Sequence, residues 1–112
     1  MFKPFREVLI LNTGDKHAKG STLGNLGNAY LVLGETRKAI EYYEQALIID
    51  REIGDQRKEG NDLWNTSLAF DKLDERQKAI TYAKAALKIL VTTESPYIER
   101  VRHQLDEWQS ST

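Results

Sequence analysis

Leu23-Gly24-Asn25-Leu26-Gly27-Asn28-Ala29-Tyr30, followed shortly by Lys38-Ala39-Ile40-Glu41-Tyr42-Tyr43, is the stretch that decides how this chain folds. Leu23, Leu26, Gly27 and Tyr30 stand at i, i+3, i+4 and i+7, which puts them on one face of a helix. Ala39, Ile40, Tyr43, Ala46, Leu47, Ile49 and Ile53 keep helical spacing too, but their stripe is broader than one neighbouring helix can cover. Gly34 suits the left-handed residue that ends the first helix. Gly54 does the same for the second, with Asp55 placed to cap the next start. The unit is therefore a helical hairpin that must also pack on another unit.

That second unit lies in the same chain. Shifting the sequence by 40 residues aligns Gly20 with Gly60, Leu23 with Leu63, Asn25 with Asn65, Ala29 with Ala69, and Lys38-Ala39-Ile40 with Lys78-Ala79-Ile80. From Gly20/Gly60 to Asp50/Leu90, 13 of 31 pairs are identical without a gap, which marks a repeat. Helices are expected at about 5–12, 16–33, 36–53, 56–73, 76–92 and 96–109. In the last, Ser95 suits the N-cap and Pro96 the first helical position, and Ile98, Val101, Leu105 and Trp108 form one apolar stripe. Glu99, Arg100, Arg102, Asp106 and Glu107 would give that helix the polar outer face of a cap. The expected division is a half-repeat helix at 1–13, repeats at 14–53 and 54–93, and a capping helix with tail at 94–112.

Composition agrees with one all-α domain and removes most chemistry. The chain has 112 residues with 40% hydrophobic and 29% charged, enough apolar material for a core. Its only prolines are Pro4 and Pro96, near the ends, so a long stretch lacks that helix breaker. Sixteen Lys and Arg against 17 Asp and Glu give a net charge of −1, without the basic excess that nucleic acid rewards. No apolar run approaches the roughly 20 residues of a membrane span. Zero cysteines exclude disulfides and thiolate sites, and the two histidines, His17 and His103, read as solvated surface residues. Asp71, Asp74 and Glu75, mixed with Lys72 and Arg76, read as a solvated helix face. Asn65-Thr66-Ser67 matches a glycosylation acceptor by letter only. The expectation is a soluble, cytoplasmic, non-enzymatic protein with no catalytic residue, metal site or cofactor.

Leu23-x2-Leu26-Gly27-x2-Tyr30, with Ala39-x3-Tyr43 and Ala46, resembles the tetratricopeptide repeat signature W-x2-L-G-x2-Y, A-x3-F. The resemblance implies a right-handed α-solenoid of antiparallel hairpins, about six helices in all. Gly27, Ala39 and Ala46 would let the two helices of a hairpin approach closely. In the second unit Leu63, Phe70, Ala79 and Ala86 match, but Thr66, Ser67 and Ala83 depart from the pattern, which suggests looser packing there. The 40-residue period and phrases such as Ile53-Gly54-Asp55 resemble the branch that includes Pins/LGN-type spindle-orientation adaptors and bacterial arrays attached to signalling ATPases. HEAT and armadillo repeats have a similar period, yet the small residues at the helix crossing argue against them.

The resemblance implies that the first helix of each hairpin lines a concave side. On that helix Ser21, Asn25, Asn28 and Val32 correspond to Asn61, Asn65, Leu68 and Lys72, and Trp64 takes the place of Gly24. Carboxamides both donate and accept, so an asparagine ladder can hold the main chain of an extended peptide. Helices about 8–10 Å apart would set Asn25 and Asn65 about three extended residues apart. The same asparagines could equally be solvent-facing, or bond helix to helix. Trp64 could anchor an apolar side chain or cover the packing near Thr66 and Ser67. Only Lys72 and Arg57 stand near as cations, fewer than the paired ladder that grips chaperone tails in this family.

A protein or peptide partner is thus the leading expectation, with homo-oligomerisation as the alternative. For the latter, Phe5, Val8, Leu9 and Leu11 supply apolar area on several sides of the expected N-terminal helix, and pairing of these helices would give a homodimer.

Overall fold

The short junctions read from the sequence turn the chain back on itself four times. The structure is a computed structural model that describes residues 15–111. It contains α1 (Lys16–Val32), α2 (Thr36–Ile53), α3 (Gln56–Lys72), α4 (Arg76–Thr92) and α5 (Ile98–Ser110), with no strand among the described residues. These agree with five of the expected helices to within two residues. The helix expected at 5–12, and with it Phe5, Val8, Leu9, Leu11 and the homodimer, lies outside the described residues.

Local chemistry explains several of the boundaries. Asp15 Oδ1 accepts a hydrogen bond from the Ala18 amide at 3.1 Å, and Asp55 Oδ1 accepts one from Lys58 at 3.1 Å, so both first helices start on a carboxylate cap. All four turns pass through a left-handed residue: Gly34 (φ 83°), Gly54 (φ 72°), Asp74 (φ 60°) and Glu94 (φ 54°). The two acidic residues do this without glycine's freedom. The last helix begins later than Pro96. Ser95 Oγ accepts from the Tyr97 amide at 3.0 Å, closing a side-chain turn, and helical geometry starts only at Ile98.

Each helix packs on the next, and α1 also touches α3. α1 buries Gly20, Leu23, Gly24 and Gly27, so its packing face is defined by small size as much as by hydrophobicity. At the crossing with α2, a Cβ on Gly27 would stand 2.6 Å from two ring carbons of Tyr43, whose side chain is fully buried. Glycine is what lets the ring come this close to the α1 backbone.

The second hairpin solves the same crossing differently, and its packing is not looser. Thr66, Ser67 and Ala83 are completely buried. The hydroxyls turn back onto their own helix, Thr66 Oγ1 donating to the Asp62 carbonyl at 2.6 Å and Ser67 Oγ to the Trp64 carbonyl at 2.7 Å. Satisfied in this way, they behave as small side chains. A larger residue at the Gly27 position is matched by a smaller one, Ala83, at the Tyr43 position. From here a continuous core runs through Leu47, Leu63, Phe70, Ala86 and Leu90 to Val101, Leu105 and Trp108 of α5.

Candidate functional site

The first helix of the second hairpin, α3, and the start of α5 enclose the site between them. A concavity of about 300 Å³ is lined by Asn61, Trp64, Asn65 and Leu68 of α3, together with Tyr97 and Arg100 at the start of α5. A smaller depression of about 100 Å³ continues it past Asn61 and Tyr97 to Arg57, Leu90, Thr93, Ser95 and Pro96. Arg57, Asn61, Asn65 and Leu68 fall on one face of α3 because they are spaced by three and four residues. Tyr97 and Arg100 supply the opposite wall.

Four of the residues expected in a groove, Asn61, Trp64, Asn65 and Leu68, thus share one concavity, while Ser21, Asn25, Val32 and Lys72 do not line it. Trp64 forms its floor and is not a protruding anchor. It is only 8% exposed, with its ring centroid 6.3 Å from that of Trp108, and the Arg76 guanidinium lies 5.8 Å over the Trp108 ring. Asn28 is used within the fold: its Oδ1 accepts the Tyr43 hydroxyl at 2.6 Å, and Asn65 Nδ2 approaches the same oxygen at 3.5 Å. Val32 is 87% exposed at the end of α1.

Arg100 and Tyr97 escaped the sequence reading. Arg100 stood on what read as the cap's polar outer face, yet it lines the concavity beside Leu68. The sequence placed the helix start at Pro96, whereas helical geometry begins at Ile98.

A second group of residues was also missed. Not all the carboxylates are solvated: Asp50 is fully buried and Asp62 is 6% exposed, at the meeting of α1, α2 and α3. Both Asp50 oxygens and Asp62 Oδ2 lack a hydrogen-bond donor among the described residues. A Cβ on Gly24 would stand 3.3 Å from Asp62 Oδ1, so the glycines of α1 leave room for the pair. Burial raises both carboxyls, and Asp62 is pushed up to about 8 by burial, by a hydrogen bond with Asp50 and by the Asp50 charge. A proton on Asp62 would give the pair the donor that its oxygens otherwise lack. Tyr43 is pushed up to about 12, by its burial first and then by the nearby Asp62 charge. In the repeat alignment Asp50 stands opposite Leu90, so a carboxylate at an apolar register position was the clue.

Among the described residues no group of three or more His, Asp or Glu side chains could hold a metal ion, and no helix is long and apolar enough to cross a membrane. A model of the tetratricopeptide repeat family matches residues 13–90. No curated protein matches the chain.

Proposed function

The chain belongs to the tetratricopeptide repeat family, and from that premise we propose that it is a non-enzymatic binding module holding an extended segment of a partner protein between α3 and α5. The observation that carries this reading is the concavity itself. Asn61, Asn65 and Leu68 face it from α3, with the Trp64 edge as its floor and Tyr97 opposite. The asparagine side chains offer donors and acceptors to a peptide main chain, and the apolar floor offers a place for one side chain. The Asn61 side chain has no hydrogen-bond partner among the described residues, which leaves its carboxamide available.

In this reading the hairpins belong to a right-handed solenoid of about six helices whose first helices line the concave side, with α5 as its cap. Division at 14–53 and 54–93 is supported by the 40-residue self-alignment. The same spacing supports the branch that resembles the Pins/LGN-type adaptors and bacterial arrays.

The test is selection from a phage-displayed random peptide library, run in parallel on the native chain and on Leu68→Gln, with sedimentation velocity on both samples. Enrichment of a common motif on the native chain alone, from a monomer, supports the groove. No enrichment, together with concentration-dependent association, favours a repeat that serves chiefly to assemble with itself.

A further inference from the structure

The described arginines divide into two groups. Arg37, Arg51, Arg76 and Arg102 each lie within 3.7 Å of a carboxylate oxygen, of Glu75, Glu59, Asp71 and Glu99 respectively. Arg57 and Arg100 have no such partner among the described residues. Both are exposed: Arg100 lines the concavity between α3 and the start of α5, and Arg57 lines the smaller depression that shares Asn61 and Tyr97 with it, between α3, α4 and the turn before α5. Among the described residues no Asp or Glu lines either of the two, although acidic residues outnumber basic ones in the chain, 17 to 16. The surface therefore offers two unneutralised guanidinium groups beside an apolar floor of Trp64 and Leu68.

We propose that the segment bound here is an extended acidic peptide, with an apolar side chain over Trp64 and Leu68 and flanking carboxylates paired to Arg57 and Arg100. The inference rests on the groove reading above and adds the chemistry of the occupant. Geometry sets its length. From Arg57 to Leu68 the face of α3 rises about 16 Å, which matches about five residues of extended chain. Arg57 lines only the part that runs past Asn61, and Arg100 only the part that holds Asn65 and Leu68. Two carboxylates about four positions apart therefore meet one guanidinium each. Guanidinium is suited to this task because its planar fork pairs with a carboxylate through two parallel hydrogen bonds.

Three fluorescein-labelled peptides test the proposal by anisotropy: a Glu-Ala-Leu-Ala-Glu core between Gly-Ser flanks, and the same peptide with Gln or Lys in place of Glu. The native chain should bind the Glu peptide about fivefold more tightly than the Gln peptide, with the Lys peptide weakest. The preference should shrink between about 50 mM and about 300 mM salt. Arg57→Gln and Arg100→Gln should each weaken the Glu peptide about threefold. The Arg57→Glu/Arg100→Glu double variant should prefer the Lys peptide. Equal affinity for all three peptides, or a charge preference that survives the double variant, overturns the proposal. If all three bind equally and Leu68→Gln abolishes binding, the groove stands and the acidic occupant falls. If binding ignores Leu68→Gln, both fall. If none of the peptides binds, the acidic occupant falls, and the library selection alone decides the groove.

Discussion

Adding one carbon to Gly27 is the most demanding test of the hairpin crossing. A Cβ there would lie 2.6 Å from both Cδ1 and Cε1 of Tyr43, well inside van der Waals contact. The ring cannot swing away cheaply, because it is fully buried and its hydroxyl is held by Asn28 at 2.6 Å. Nor can the carbon move, since it would be fixed to the α1 backbone. The helices must separate, an overpacking cost of about 3 kcal/mol at the upper end of the usual range. Alanine recovers about 1 kcal/mol of helix propensity over glycine. The expected net loss for Gly27→Ala is therefore about 2 kcal/mol, which lowers the melting temperature by roughly 8–16 °C in a domain of this size. The second hairpin supplies the control, because it pairs Ser67 with Ala83 at the same positions. In a Tyr43→Ala background the obstruction is gone, and Gly27→Ala should be neutral or stabilising by up to about 1 kcal/mol. Urea denaturation followed by helical circular dichroism on the four proteins of this cycle gives a coupling energy of about 2–3 kcal/mol. A Gly27→Ala protein as stable as the native chain, or the same effect in both backgrounds, would refute the crossing.

Three further outcomes are expected. Asp62 keeps its proton to about pH 8 in the fold but only to about pH 4 when unfolded. The folded state therefore holds the extra proton across that window, and stability falls as pH rises through it. Thermal melts should show that fall, while Asp62→Asn should flatten it and add about 1–3 kcal/mol at alkaline pH by removing a buried unpaired charge. An unchanged slope in the variant would show that Asp62 is not its source. Asp74→Gly and Glu94→Gly each relieve a left-handed non-glycine residue and should stabilise by about 1 kcal/mol in denaturant titrations. Ala39→Leu, at a completely buried position, should cost about 1–3 kcal/mol. Glu41→Ala on an exposed face should change the melt little, and equal effects would reject the helix register.

The hairpins were legible because their signals are local. Asp15 and Asp55 as caps, Gly34 and Gly54 as left-handed stops, and the period of Leu23, Ala39 and Ala46 each operate within a turn or two of helix. The mismatched second hairpin misled because Thr66, Ser67 and Ala83 were compared one by one with a consensus. Their sense lies in a pair of positions on different helices that exchange volume. Asp74 and Glu94 concealed their turns for a related reason, since neither is the residue that left-handed geometry prefers. The site was harder to read. Asn61, Asn65 and Leu68 could be placed on one face of α3 by spacing alone. Arg100 depends on how α5 meets α3, which follows from where that helix begins, and the sequence suggested Pro96. Asp50 and Asp62 are close only because α1 carries glycines where they meet, a contact across three helices that no single window contains.

The central claim, that a partner segment lies between α3 and α5, is tested most directly by following backbone amide resonances of the ¹⁵N-labelled chain. The titrant is the tightest peptide recovered from the library. Saturable shifts are expected at Arg57, Asn61, Asn65, Leu68 and Arg100, together with the indole resonance of Trp64. Shifts confined to the exposed face of α2 around Glu41 and Ile48, with these residues unmoved, would contradict it.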